Sequence, residues 1–154
     1  MCYMLYAGAD HELQLTNPAE WDGIDVCVDG WVELAPPLAV TQLHPQKNSV
    51  REHFTEVFIV EVGGYGGCSC GFNRLVKKTD TGGATNDLEP EDLAADRSRR
   101  ALAAYVLMNG VTALFYCWDG DEELPLEGEC LITTAQLADA TFSLPERVKL
   151  RIAI

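Results

Sequence analysis

Between positions 63 and 71 the chain reads Gly-Gly-Tyr-Gly-Gly-Cys-Ser-Cys-Gly, five glycines in nine residues. Glycine loses the most backbone freedom on folding and offers no side chain to pack, so this stretch cannot be regular helix or central strand. It must bend. The segment before it, Glu56 to Val62, is rich in β-branched and aromatic residues and predicts a strand. A strand therefore runs directly into a bend that carries Cys68 and Cys70 one residue apart.

The rest of the chain supplies further elements. Cys2 to Ala7 is an apolar run stopped by Gly8-Ala9-Asp10 and reads as a buried strand. Ile24 to Val28 and Trp31 to Leu34 flank Asp29-Gly30, the dipeptide of a two-residue hairpin turn. Leu38 to Leu43 suits a short strand after Pro36-Pro37, and His44 to Phe54 reads as loop. Asp80 to Asp87, with Gly82-Gly83, reads as a second loop. Pro90 to Asn109 predicts the one long helix. Pro90 fits the first helical position, Glu91 and Asp92 complement the helix dipole, and Gly110 fits the position just past the end. Its expected inner stripe is Leu93, Arg97, Ala101, Ala104 or Tyr105, and Met108. Val111 to Trp118 reads as a buried strand, and a short helix is expected after Thr133 or Thr134. Val148, Leu150, Ile152 and Ile154 alternate with Lys149 and Arg151, the pattern of a half-buried strand. Together these predict an α+β fold: a mostly antiparallel or mixed β-sheet packed against one long helix at about 90–109. The length of 154 residues fits a single globular domain over 1–154.

Charge narrows the partners. The formal net charge is −13, from 24 acidic and 11 basic residues. Phosphate contacts need a basic surface, so neither nucleic acid nor an anionic membrane is an expected partner. A basic protein partner suits the acidic surface better. The bases cluster at Arg97, Arg99 and Arg100 and at Arg74, Lys77 and Lys78, and both clusters read as solvated rather than as anion sites. No apolar run reaches membrane-spanning length, and the apolar start lacks the basic lead of a signal peptide. A cytoplasmic location with reduced cysteines is expected.

Six cysteines are present: Cys2, Cys27, Cys68, Cys70, Cys117 and Cys130. None shows the C-x-x-C spacing of zinc ribbons or thioredoxin-like sites. Two thiolates spaced as Cys68 and Cys70 are can share one soft metal ion where the backbone bends, and the flanking glycines permit it. A tetrahedral zinc site needs two more ligands. Cys2 and Cys117, placed by apolar strands in the sheet core, are the preferred ones, with Asp119 and His53 in reserve. Buried free cysteine is otherwise a small hydrophobe, the reading that suits Cys27 and Cys130.

Other constellations are weaker. Loss of Met1 would expose Cys2 as an N-terminal nucleophile with its own amine as base, but the glycine that follows such a cysteine in glutamine amidotransferases is Tyr3 here. Asp119-Gly120-Asp121-Glu122-Glu123 departs from calcium-loop spacing and reads as a solvated turn. His11, His44 and His53 all fall in expected loops. Gly64-Tyr65-Gly66-Gly67 leads to cysteines rather than a helix, so it is not a nucleotide loop.

Four pieces together, Met1 to Tyr6, Gly67 to Phe72, Pro90 to Asn109 and Cys117 to Asp121, resemble a family of uncharacterised bacterial proteins with an MCxxLY start and a GCxCGF motif. The resemblance implies no activity. It implies that Cys2, the Cys68/Cys70 pair and Cys117-Trp118-Asp119 belong to one feature. Three functions stay open on the sequence: a zinc or other soft-metal site at Cys68, Cys70, Cys2 and Cys117; a thiol enzyme or redox protein using Cys70 or Cys2; and an acidic interaction domain with structural cysteines.

Overall fold

Six strands form one mixed sheet in a computed structural model that describes residues 2–16, 36–65, 68–74, 76 and 89–153. They are β1 (Tyr3–Ala9), β2 (Ala39–Gln42), β3 (Phe58–Gly63), β4 (Ala113–Trp118), β5 (Gly128–Thr133) and β6 (Val148–Ala153). Their order across the sheet is β2-β3-β1-β4-β6-β5. Neighbours are antiparallel except β5 and β6, which run parallel. A parallel pair needs a crossover. Here the crossover contains the short helix α2 (Thr134–Ala138), capped by a Thr133/Gln136 box. The long helix α1 (Pro90–Met108) completes the α+β architecture expected from the sequence. Among the described residues no helix is long and apolar enough to cross a membrane. The expected hairpin at Asp29-Gly30, with Cys27, the bases Lys77 and Lys78, and the loop at 80–87 lie outside the described residues.

Both faces of the sheet are covered, which explains why β1 and β4 read as unbroken apolar runs. Leu5, Ala7, Val60, Val62, Leu114, Tyr116 and Leu150 pack against Leu102 and Val106 of α1. Tyr6, Ile59, Ala113, Phe115 and Cys117 point the other way and pack with Val50 and Phe54. Val50 belongs to a 3-10 helix, Pro45–His53, where the sequence predicted loop. His44 Nδ1 accepts from the Gln46 N–H at 3.2 Å, and Pro45 follows the cap with its φ already fixed. One buried residue in nine gives no periodic signal, so local pattern could not show this helix.

The inner face of α1 differs from the expected stripe. Ala94, Ala95, Ser98, Arg99, Leu102, Ala103, Tyr105 and Val106 are buried, whereas Leu93 and Met108 are exposed. The stripe that packs is built largely from alanine, serine and arginine, which hydrophobicity alone does not select. Three further differences concern β5, Lys149 and Glu122. Strand β5 buries only Ile132 fully and carries too little apolar pattern to be seen. Lys149, expected on the wet side of β6, is buried and paired with Glu56 at 3.0 Å. In the acidic turn, Glu122 is buried rather than solvated and accepts from Tyr6 Oη at 2.9 Å and Lys47 Nζ at 2.7 Å.

Candidate metal centre

β1 pairs with β3 as far as Leu5 opposite Val62, and β3 then leaves the sheet at Gly63. The chain returns as a 3-10 turn, Ser69–Asn73, whose side chains replace the missing strand. The Leu5 N–H donates to Ser69 Oγ at 2.9 Å, and Ser69 Oγ donates to the Val62 carbonyl at 2.6 Å. The Tyr3 N–H donates to Cys70 Sγ at 3.3 Å. The Gly64 N–H closes the bend on the Cys68 carbonyl at 2.9 Å. Gly71 is required by contact rather than torsion, because a Cβ there would lie 2.6 Å from the Tyr65 ring. Strand edges need their N–H groups satisfied, and this turn satisfies two of them while setting cysteines beside the start of β1.

The result is a cluster of three sulfurs. The Sγ atoms of Cys2, Cys68 and Cys70 all lie within 4.8 Å of one another. Cys2 is exposed, and Cys68 and Cys70 are half-buried. Three thiols at this separation can hold a metal ion. The Cys70 thiol titrates above its ordinary value. Burial is the main cause and the Cys68 thiol adds to it, against the opposing hydrogen bonds from the Tyr3 N–H and Cys2.

Aromatic rings wall the site. Tyr3 stacks on Trp118 with ring centroids 3.8 Å apart and on Tyr116 at 4.7 Å. Its hydroxyl donates to Glu146, and that bond, with burial, pushes its pKa up to about 12. The Tyr116 hydroxyl is fully buried and has no hydrogen-bond partner of regular geometry among the described residues. Burial pushes its pKa up, and the nearby Tyr3, Cys70 and Glu146 add to the shift.

Behind the turn stands Arg99, wholly buried on α1 although the sequence grouped it with solvated bases. It donates to the carbonyls of Leu137 (2.6 Å), Phe72 (2.7 Å), Phe142 (3.0 Å) and Gln136 (3.2 Å). One guanidinium thus holds the cysteine turn, the end of α2 and the loop after it together. Burial lowers its pKa to about 10. Arg74 and Arg100 are the solvated bases expected, paired with Asp92 and Asp96.

The remaining expected ligands lie elsewhere. Cys117 is buried on the opposite face of the sheet, because the pleat that turns Tyr116 toward α1 turns Cys117 away. Burial, with the acidic turn beside it, pushes its thiol up to about 12. The Asp119 N–H donates to the Cys2 carbonyl at 2.9 Å, but its carboxylate pairs with Lys47. His53 Nε2 meets the Glu122 carbonyl at 2.6 Å, and its ring lies 4.6 Å from that of Phe115. Cys130 sits half-buried on β5. The sequence missed Ser69 as an organiser of the turn and Tyr3 as its wall. Their only signal was position, between the two cysteines and next to Cys2.

No protein-family model matches the chain, and no curated protein or solved structure is significantly similar to it.

Proposed function

We propose that the protein binds a thiophilic metal ion through Cys2, Cys68 and Cys70. The observation that carries this reading is the convergence of three sulfurs from two segments more than sixty residues apart, within 4.8 Å. Soft ions select thiolate donors, and three preplaced donors lower the ordering cost of binding. Zinc, the ion expected from the sequence, takes four ligands, so water would complete its shell here. A thiol enzyme working through Cys70 has less support. An activated cysteine needs a lowered pKa, and Cys70 is shifted the other way.

The test is titration of the reduced protein with zinc or cadmium, followed by sulfur-to-metal absorption and elemental analysis. One equivalent should bind. Cys70→Ser should abolish it, and Cys130→Ser should not change it. Failure to take up either ion would end this reading. Because the thiols must ionise, affinity should fall as pH drops from 8 to 6.

A further inference from the structure

We infer that the ligand these three thiols fit is a trivalent, three-coordinate metalloid hydroxide of the arsenite class. The inference rests on the thiophilic reading above and narrows its ligand. Two features of the site, and the proton balance of the ligand itself, favour this class over a divalent ion.

The first is donor number. Three sulfurs converge, and the acid, imidazole and thiol expected as further ligands are engaged elsewhere: Asp119 with Lys47, His53 with Glu122, and Cys117 on the opposite face. Trivalent arsenic bonds three sulfurs in a pyramid, and its lone pair occupies the fourth direction. It asks for no further donor.

The second is charge. A divalent ion on three thiolates leaves a net negative complex in a chain whose formal charge is already −13. Among the described residues the nearby cations are committed. Arg74 pairs with Asp92 at 2.6 Å, Lys47 pairs with Asp119 and Glu122, and Arg99 faces four carbonyls. Arsenic with three thiolates is neutral, so it needs no counter-charge.

The third is proton balance. The reaction is As(OH)3 + 3 RSH → As(SR)3 + 3 H2O. Three As–O bonds break, three As–S bonds form, and each thiol proton leaves with a hydroxide as water. Nothing is oxidised or reduced. Arsenite thus takes up protonated thiols without net proton release, whereas a divalent ion must first expel their protons. Cys2, exposed at the start of β1, gives the ligand its first contact, and the half-buried pair closes the pyramid.

The experiment titrates the reduced full chain with sodium arsenite at pH 6 and pH 8, in parallel with zinc. One equivalent of arsenite should bind with the loss of three titratable thiols, and X-ray absorption should show three sulfurs on arsenic. Affinity for arsenite should be nearly the same at both pH values, while affinity for zinc should rise with pH. Removing one of three linked donors should weaken arsenite binding about 100-fold in each of Cys2→Ser, Cys68→Ser and Cys70→Ser. Cys130→Ser, outside the cluster, should bind as the parent does. Cys2 is exposed, so Cys2→Ser tests the site without disturbing the core. If zinc binds and arsenite does not, or if arsenite binds through two sulfurs only, the assignment falls and the thiophilic reading stands. If neither binds, both fall.

Discussion

The Lys149 amine and the Glu56 carboxylate meet at 3.0 Å with side chains only 2% and 4% exposed. Thr55 and Thr112 add hydrogen bonds to this pair, Arg151 lies 3.5 Å from the carboxylate, and the lysine amine sits 5.5 Å over the Phe54 ring. Burial alone would push the Glu56 carboxyl up. The bond from Lys149, with its own backbone and Thr112, holds it below the ordinary carboxylate value. Its charged form therefore stabilises the fold at neutral pH, and that stability is lost as pH falls through the depressed folded-state pKa. Lys149→Met should cost about 3–5 kcal/mol at pH 7, because it takes the buried partner from Glu56 and leaves only the half-exposed Arg151 facing the carboxylate. The pH dependence should then flatten. Without Lys149, burial opposes ionisation of Glu56 against fewer favourable contacts, so the cost relative to the parent should be smaller at pH 5 than at pH 7. Urea midpoints at pH 5 and pH 7 for both proteins measure this. A variant that stays parallel to the parent across that range would refute the account. The alternation in β6 marked Lys149 as outward, and it is outward from α1. What the sequence did not show is that a second layer, from Phe54 to Glu56, covers that face.

At the level of elements, α1 was legible in its ends and illegible in its face. Pro90, Glu91, Asp92 and Gly110 act through backbone effects within a turn or so, and Gly110 indeed takes a left-handed φ of 56°. The Thr133 cap of α2 is local in the same way. The inner face is not local. Arg99 is inside because four carbonyls from two other segments are waiting for it. Its planar fork serves several acceptors at once, which a lysine amine cannot reproduce. Arg99→Lys should therefore destabilise the protein by about 2–4 kcal/mol through unsatisfied buried carbonyls, measured by chemical denaturation. It should also weaken metal binding, because the Phe72 carbonyl is the anchor of the cysteine turn. Stability and affinity equal to the parent's would show that the turn is held without Arg99.

For the whole molecule, the three-sulfur cluster ties the first residues of the sheet to the turn that ends β3, and that turn to α1. A ligand that binds only this folded arrangement stabilises all of it by mass action. At a hundredfold excess over Kd the gain is about 2.7 kcal/mol. For a chain of this size that corresponds to a rise in Tm of roughly 5–10 °C. Thermal unfolding with and without the bound ion measures it, and a dithiol chelator should reverse it. Cys70→Ser should show no shift.

The sequence by itself determined what is governed by neighbours along the chain. It fixed the bend at the glycines, the ends of α1, the cap of α2, the apolar strands β1, β3 and β4, and hence the α+β class. It also marked Cys68 and Cys70, because core packing explains cysteines in a glycine bend less well than it explains those in apolar strands. Only the tertiary structure decided which other sulfur joins them. Cys2 and Cys117 both sit at ends of apolar strands and look equivalent in one dimension. Met4 lies opposite Cys117 in the β1–β4 register, and the pleat sends Cys117 to the far face. Cys2 sits where β1 runs out beside the turn and reaches the Cys68–Cys70 side. The choice depends on strand register and on the point where β3 leaves the sheet, and both are set by contacts between distant segments.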